Sequence, residues 1–315
     1  MKKRNLLIAL TLIISCLLGI SACRGEKPVN PRPPYIDPME SQTLPEVPHT
    51  RFAQTKELHW LEAGEYSVGD ATLPAGEYYL ETYDPVLKAR FTVFETTADG
   101  NRQVVKQGDF RNFCFLQLEE GEQILLEFAR ILPAEKVPPI QPQNGVYPEG
   151  VYRIGKDLPN GEYVFTYTGG GKAGSVDILM DHTGSDVDNW RRNTLAIEFI
   201  YNRLYLLVNE GRYLYVSDAT FCPKEQTLPL PAPENGRYEA GMYLVGKDIP
   251  PGRYKIAVNE EQEDGEGYYA IYRDASFQKA KKVTERFFRI SRTVSLEEGQ
   301  YFQVSFAWFE KNRMN

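Results

Sequence analysis

Beyond residue 57, apolar and polar residues alternate with a period of two, and no stretch there holds the 3.6-residue period of an amphipathic helix. Phe91-Thr-Val-Phe94, Val176-Asp-Ile-Leu179 and Tyr269-Ala-Ile-Tyr272 read as short, half-buried strands. A second set, Ile124 with Leu126, Leu214 with Val216 and Phe302 with Val304, follows a Glu-Gly pair each time: Glu120-Gly121, Glu210-Gly211 and Glu298-Gly299. With an apolar strand before each pair and another after it, the spacing predicts a hairpin with one buried face. The third copy runs on through Phe306 and Trp308, whereas the second departs at Asp218, where a bulge or an early strand end is expected.

The alternation is organised by a longer repeat. Tyr152-Arg-Ile-Gly-Lys-Asp-Leu-Pro-Asn-Gly-Glu-Tyr163 returns as Tyr243-Leu-Val-Gly-Lys-Asp-Ile-Pro-Pro-Gly-Arg-Tyr254. A looser copy, with one inserted residue, runs from Tyr66 to Tyr78. The period is roughly ninety residues, too long for a solenoid unit and suited to a small domain. Domains are expected at 57–134, 145–223 and 236–315, with Pro-rich joints over 133–142 and 223–233 that space them stiffly. Short strands punctuated by turns predict an all-β protein of three tandem small antiparallel β-sandwiches, jelly-roll-like, with a partly open barrel as the variant.

Within the motif the chain reads strand, tight turn, strand. Gly69, Gly155 and Gly246 interrupt the alternation, and the Asp157 and Asp248 carboxylates are suited to bonding backbone N–H groups just ahead of them. Pro74, Pro159 and Pro250 preset φ for the second position of a β-turn, and Gly76, Gly161 and Gly252 are placed to take a positive φ after it. The flanking tyrosines suit a place where a ring packs and a hydroxyl finds a polar partner. A binding role for Gly-Lys-Asp is the weaker reading, because Lys156 and Lys247 have only Asp70 or nothing opposite them in the first copy.

Ahead of the repeats, Lys2, Lys3 and Arg4 precede a nearly unbroken apolar run from Leu6 to Leu18. This is the layout of a secretory signal peptide over 1–22, too short for a membrane span. Residues 23–56 carry Pro28, Pro31, Pro33, Pro34, Pro38, Pro45 and Pro48 among polar residues and read as a semi-rigid tether. Ile20-Ser21-Ala22-Cys23 resembles the lipobox of bacterial lipoproteins. That resemblance implies cleavage before Cys23, a diacylglyceryl group with palmitate-type acyl chains on its thiol, and a durable anchor on the outer face of the cell membrane. Tandem Tyr-x-Val-Gly-x-Asp-Ile-Pro-x-Gly-x-Tyr modules behind such a lipobox resemble surface lipoproteins of Gram-positive bacteria. The resemblance covers most of the mature chain and implies location and architecture, not an activity.

A net charge of −7, more negative once the basic signal is removed, argues against nucleic acid as a partner. Cys16 leaves with the signal, and Cys114 and Cys222 remain at non-equivalent places, as buried thiols or as an interdomain disulfide. The chain has three histidines, and His-Glu-x-x-His, Gly-x-Ser-x-Gly and paired Cys-x-x-Cys motifs are missing. Gly169-Gly-Gly-Lys172 lacks the Ser or Thr of a phosphate loop and reads as a turn. One loop has candidate chemistry: Asp181, Asp186 and Asp188 offer oxygens for a cation, and Trp190 offers a ring to a sugar, though their spacing is not that of an EF-hand. The acidic run from Glu260 to Glu266 reads as a solvated hairpin tip. These observations lead to a non-enzymatic, lipid-anchored surface protein, without cofactor, that offers three β-domains to an extracellular protein or glycan. A polysaccharide-active enzyme, which would need two carboxylates converging in a groove, and a structural spacer are the alternatives.

Overall fold

The computed structural model describes residues 58–83, 88–180, 194–233, 235–259 and 265–312. All of these lie in one compact unit, 45–315; the segments expected to be a signal peptide and a tether, with Cys23, fall outside the described residues. The described chain is all-β, and each repeat is a pair of facing antiparallel sheets.

The first repeat contributes β1 (Gly64–Ser67), β2 (Gly76–Thr82), β3 (Ala89–Thr96), β4 (Arg102–Phe110), β5 (Phe113–Leu118), β6 (Gln123–Glu127) and β7 (Ala129–Pro133). The second follows with β8 (Gly150–Arg153), β9 (Gly161–Tyr167), β10 (Gly174–Leu179), β11 (Thr194–Ile200), β12 (Arg203–Val208), β13 (Tyr213–Ser217) and β14 (Ala219–Pro223). The third holds β15 (Arg237–Tyr238), β16 (Gly241–Leu244), β17 (Gly252–Val258), β18 (Gly267–Tyr272), β19 (Lys282–Phe288), β20 (Arg292–Leu296), β21 (Tyr301–Ser305) and β22 (Ala307–Lys311).

In the third repeat the sheets run β15-β22-β17-β20 and β16-β21-β18-β19, which is jelly-roll order. The first two repeats have the same order, β1-β6-β3-β4 over β5-β2-β7 and β11-β10-β13-β8 over β12-β9-β14. Their counterparts of β15 are single bridges, Leu61 to Ile131 and Tyr147 to Phe221. Among the described residues no sheet takes strands from two repeats.

This topology corrects the hairpin expected at each Glu-Gly pair. β5 and β6, β12 and β13, and β20 and β21 lie in opposite sheets, so the Glu-Gly turn is an arch across the sandwich. The repeated motif is another arch, joining β1 to β2, β8 to β9 and β16 to β17. The middle strand and its successor do form hairpins, β3 with β4, β10 with β11 and β18 with β19. Amphipathic alternation is the same in a hairpin and an arch, because each buries one side of each strand.

The two arches meet, which explains why both signatures recur. The Gly155 amide donates to the Leu158 carbonyl at 2.6 Å, and the Gly211 amide to that of Ile154 at 3.3 Å. Gly246 and Gly299 repeat this with Ile249 at 2.7 Å and Val245 at 3.0 Å, and Gly69 and Gly121 with Leu73 at 2.9 Å and Val68 at 3.1 Å. The first glycine of the motif takes a left-handed φ in all three copies, +115° at Gly69, +94° at Gly155 and +97° at Gly246. A side chain there would also strike the Glu of the Glu-Gly pair: a Cβ on Gly155 falls 2.6 Å from Glu210 Cγ, and one on Gly246 2.6 Å from Glu298 Cδ. The glycine after Pro opens a strand: Gly76, Gly161 and Gly252 begin β2, β9 and β17, paired with Leu118, Val208 and Leu296. The positive φ expected there is found at Gly161, +159°, and Gly252, +143°, and is missing at Gly76.

Asp157 and Asp248 close the turn on the backbone four residues earlier, accepting from the Arg153 and Leu244 amides at 2.9 Å. Asp70, shifted by the inserted residue, accepts from Thr72 at 2.8 Å and Leu73 at 2.9 Å instead. Both motif tyrosines donate to a carbonyl four residues upstream. Tyr78, Tyr163 and Tyr254 reach Pro74, Pro159 and Pro250 at 2.5, 3.0 and 2.6 Å. Tyr66, Tyr152 and Tyr243 reach Glu62, Pro148 and Glu239 at 2.8, 2.6 and 2.7 Å. A Gly-x-Tyr unit thus starts both strands flanking the arch, a doubling legible in the sequence once the arch is known.

Candidate functional site

The repeats meet face to face, with no open spacing between them. In each joint the outer side of the sheet containing β5 or β12 receives the front of the next repeat. Phe113 stacks edge-on against Tyr152 at 5.1 Å, and Gly150 lets it close: a Cβ there would sit 2.7 Å from the Phe113 ring. Arg153 lies over the Phe115 ring at 3.9 Å and pairs with Glu77 at 2.9 Å. Tyr213 donates to the same Glu77 at 3.2 Å. The second joint reuses this plan, with Tyr301 donating to Glu162 at 2.5 Å and Lys224 pairing with Glu162 at 2.7 Å. Glu77 and Glu162 hold the same place after the opening glycines of β2 and β9, and Tyr213 and Tyr301 the same place after the Glu-Gly arch.

At the centre of the second joint is a buried ion pair. Arg203 and Asp248 approach to 2.7 Å with side chains 10% and 0% exposed, and Tyr205 donates to the other Asp248 oxygen at 2.6 Å. The motif aspartate therefore binds its own turn and the preceding repeat at once. Lys247 also joins in, donating to the Lys224 carbonyl at 2.8 Å, so its charge is not idle as its absence from the first copy suggests.

Among the described residues two carboxylates are raised above their ordinary range. Burial pushes Glu198 of β11 up to about 7, against a Gln303 hydrogen bond and the Lys282 charge, which pull it down. Burial likewise pushes Asp177 up to about 6, and its Oδ1 is buried without a hydrogen-bond partner. A raised carboxylate is more protonated folded than unfolded, so its charge erodes stability as pH climbs from its unfolded value toward the folded one. Glu198→Gln should therefore stabilise the protein at pH 8 by on the order of 1 kcal/mol and flatten the fall in stability between about pH 4.5 and 7. Thermal melts of both forms across that range check it; an unchanged pH slope would show that Glu198 is not the group responsible.

The sequence-based ligand candidates Asp181, Asp186, Asp188 and Trp190, and residues 260–264 of the acidic run, lie outside the described residues. Gly169–Lys172 connects β9 to β10 as a bend. Cys114 is buried and Cys222 half-buried, and no disulfide joins the two. Among the described residues no cluster of three His, Cys, Asp or Glu side chains is placed to hold a metal ion.

What sequence reading missed is a surface defined by comparing the repeats. The sheet side that receives the next repeat at β5 and β12 has nothing over it at β20 among the described residues. Phe115 and Tyr205 are replaced there by exposed Thr293, and Glu77 and Glu162 by exposed Arg253. The face continues with Lys255 on β17, Ser295 on β20, Trp308 and Glu310 on β22, and Arg237 on β15, all opposite the buried Tyr254, Ile256, Val294 and Phe309. The Arg237 guanidinium stands 3.9 Å above the Trp308 ring and Lys255 Nζ 5.6 Å from it. Lys255 leans on Glu310 at 3.8 Å, with side chains 44% and 41% exposed, and Arg237 Nε lacks a hydrogen-bond partner. Such a face binds by charge, hydrogen bonding and ring contact. A separate apolar strip, Leu195, Ile197 and Phe199, lies exposed along the edge strand β11.

Comparison of the chain with protein-family models, with curated proteins and with solved structures finds no match.

Proposed function

We propose that this chain is a lipid-anchored protein of the outer cell surface that holds three packed jelly rolls out from the membrane and binds an extracellular partner with the last of them, without catalysing a reaction. The observation that carries the reading is the receiving face itself. It is filled by the following repeat in the first and second repeats and, among the described residues, left open in the third, with polar residues in place of aromatic ones. In chain order this face is the farthest from Cys23, where a surface display protein needs its contact site. A signal segment ending in Ile20-Ser21-Ala22-Cys23 and a Pro-rich tether support the anchor.

Cys23→Ala tests the anchor. The variant should fail to incorporate labelled palmitate and should accumulate uncleaved or leave the membrane fraction. Undiminished acylation and membrane retention would remove the lipoprotein reading.

A further inference from the structure

We infer that the open sheet face of the third repeat is a binding site for an acidic polysaccharide, one that carries carboxylate or phosphate groups along its length. The inference rests on the display reading only for where such a polymer would be met; the face stands on its own geometry.

Charge is the first argument. The protein carries a net charge of −7, yet this face presents Arg237, Arg253 and Lys255 against Glu310, with Glu239 beside Arg237. Glu310 already leans on Lys255, and Arg237 has only a long contact to Glu239, at 3.8 Å. Arg253 is exposed where Glu77 and Glu162 serve the two internal joints, so the sign of this position is reversed on the face that no described residue covers. Arg253 and Lys255 point from the same side of one strand, about 6.8 Å apart by strand geometry. That spacing suits successive charges on a polymer better than a single compact anion.

Chemistry around the cations favours a sugar chain over a protein. A protein interface of useful affinity needs large apolar anchors in a desolvated centre. Here Trp308 is half-buried beneath Arg237, and the apolar neighbour beside it on the face is Ala257. The rest is a flat row of hydroxyls, Thr293 and Ser295, that donate and accept as sugar hydroxyls do. An acidic protein surface and a neutral glycan are thus the competing occupants.

The test uses the full chain in neutral detergent micelles and three soluble probes: polygalacturonate, dextran and poly-L-glutamate. Polygalacturonate should bind, and should be released at about 1 M salt, where the screening length is about 3 Å. Arg253→Glu combined with Lys255→Glu should weaken it by roughly tenfold or more, since like charge is placed against the ligand. Arg286→Glu combined with Arg289→Glu makes the same charge change off this face and should stay within about twofold of the parent. Equal loss in that control would show attraction to the protein as a whole and overturn the site. Dextran binding as tightly would replace the acidic sugar with a neutral one, and poly-L-glutamate binding as tightly would replace it with an acidic peptide. Failure of all three probes would end the proposal, while membrane retention of the wild type and its loss in Cys23→Ala would still stand as separate results. Matching melting curves for parent and variants keep unfolding out of the comparison.

Discussion

Asp248→Ala is expected to destabilise the protein by about 3 to 5 kcal/mol, because it strands a buried guanidinium. Arg203 is 10% exposed, and Asp248 supplies its ionic partner at 2.7 Å. The same carboxylate accepts from Tyr205 and from the Leu244 amide, so its removal takes an acceptor from three donors in one place and leaves Arg203 Nη1 with the Leu228 carbonyl at 3.4 Å. Combining it with Arg203→Met should recover part of the loss, since no bare charge then remains in the joint. Lys156→Ala is the contrast. That side chain is 69% exposed and only 3.9 Å from Glu77, so its loss should fall within about 0.5 kcal/mol. Chemical denaturation of the full chain, followed by circular dichroism, reads all of these. An Asp248→Ala protein within 1 kcal/mol of its parent would mean that the ion pair does not hold the joint.

The second large effect is expected at the first glycine of the motif. Gly155→Val and Gly246→Val should each cost roughly 3 kcal/mol, the upper range for a β-branched residue forced to positive φ. At Gly155 the new side chain also displaces Glu210 from the adjoining arch, where Cβ and Cγ would lie 2.6 Å apart. Gly76→Val provides the opposite case, with no atom within 4 Å of the added Cβ and no positive φ. It should stay within about 1 kcal/mol. If Gly76→Val proves as damaging as Gly155→Val, the glycine after Pro is the turn residue after all and the arch is misassigned.

Much of this architecture was legible in the residues. Period-two alternation, with Phe91 to Phe94, Val176 to Leu179 and Tyr269 to Tyr272 as markers, predicted an all-β chain and located the middle strand of each repeat. The two recurring signatures, Gly-x-Asp-x-Pro-x-Gly-x-Tyr and Glu-Gly, marked the places where the chain turns. Their partnership was hidden, because Gly155 and Glu210 are brought together only by the sandwich. The strain at the first glycine was hidden for the same reason: φ at Gly155 follows from the arch crossing to the second sheet.

By itself, then, the sequence determined what is local. These are the strand alternation, the turn residues, the tyrosines whose hydroxyls close on carbonyls four residues away, and the repeat that implies three like domains. Such features act over a few bonds and leave a periodic trace. Tertiary structure alone decided which sheet each strand joins, since amphipathic strands fit either side of a sandwich. It also decided that Glu77, Glu162 and Asp248 lie in joints between repeats, where neighbours far along the chain supply Tyr213, Tyr301 and Arg203. The candidate face belongs to this second class. Arg253, Lys255, Thr293, Ser295 and Trp308 come from three strands scattered over the last repeat. They become a surface because β17, β20 and β22 pair side by side and no further repeat covers them among the described residues.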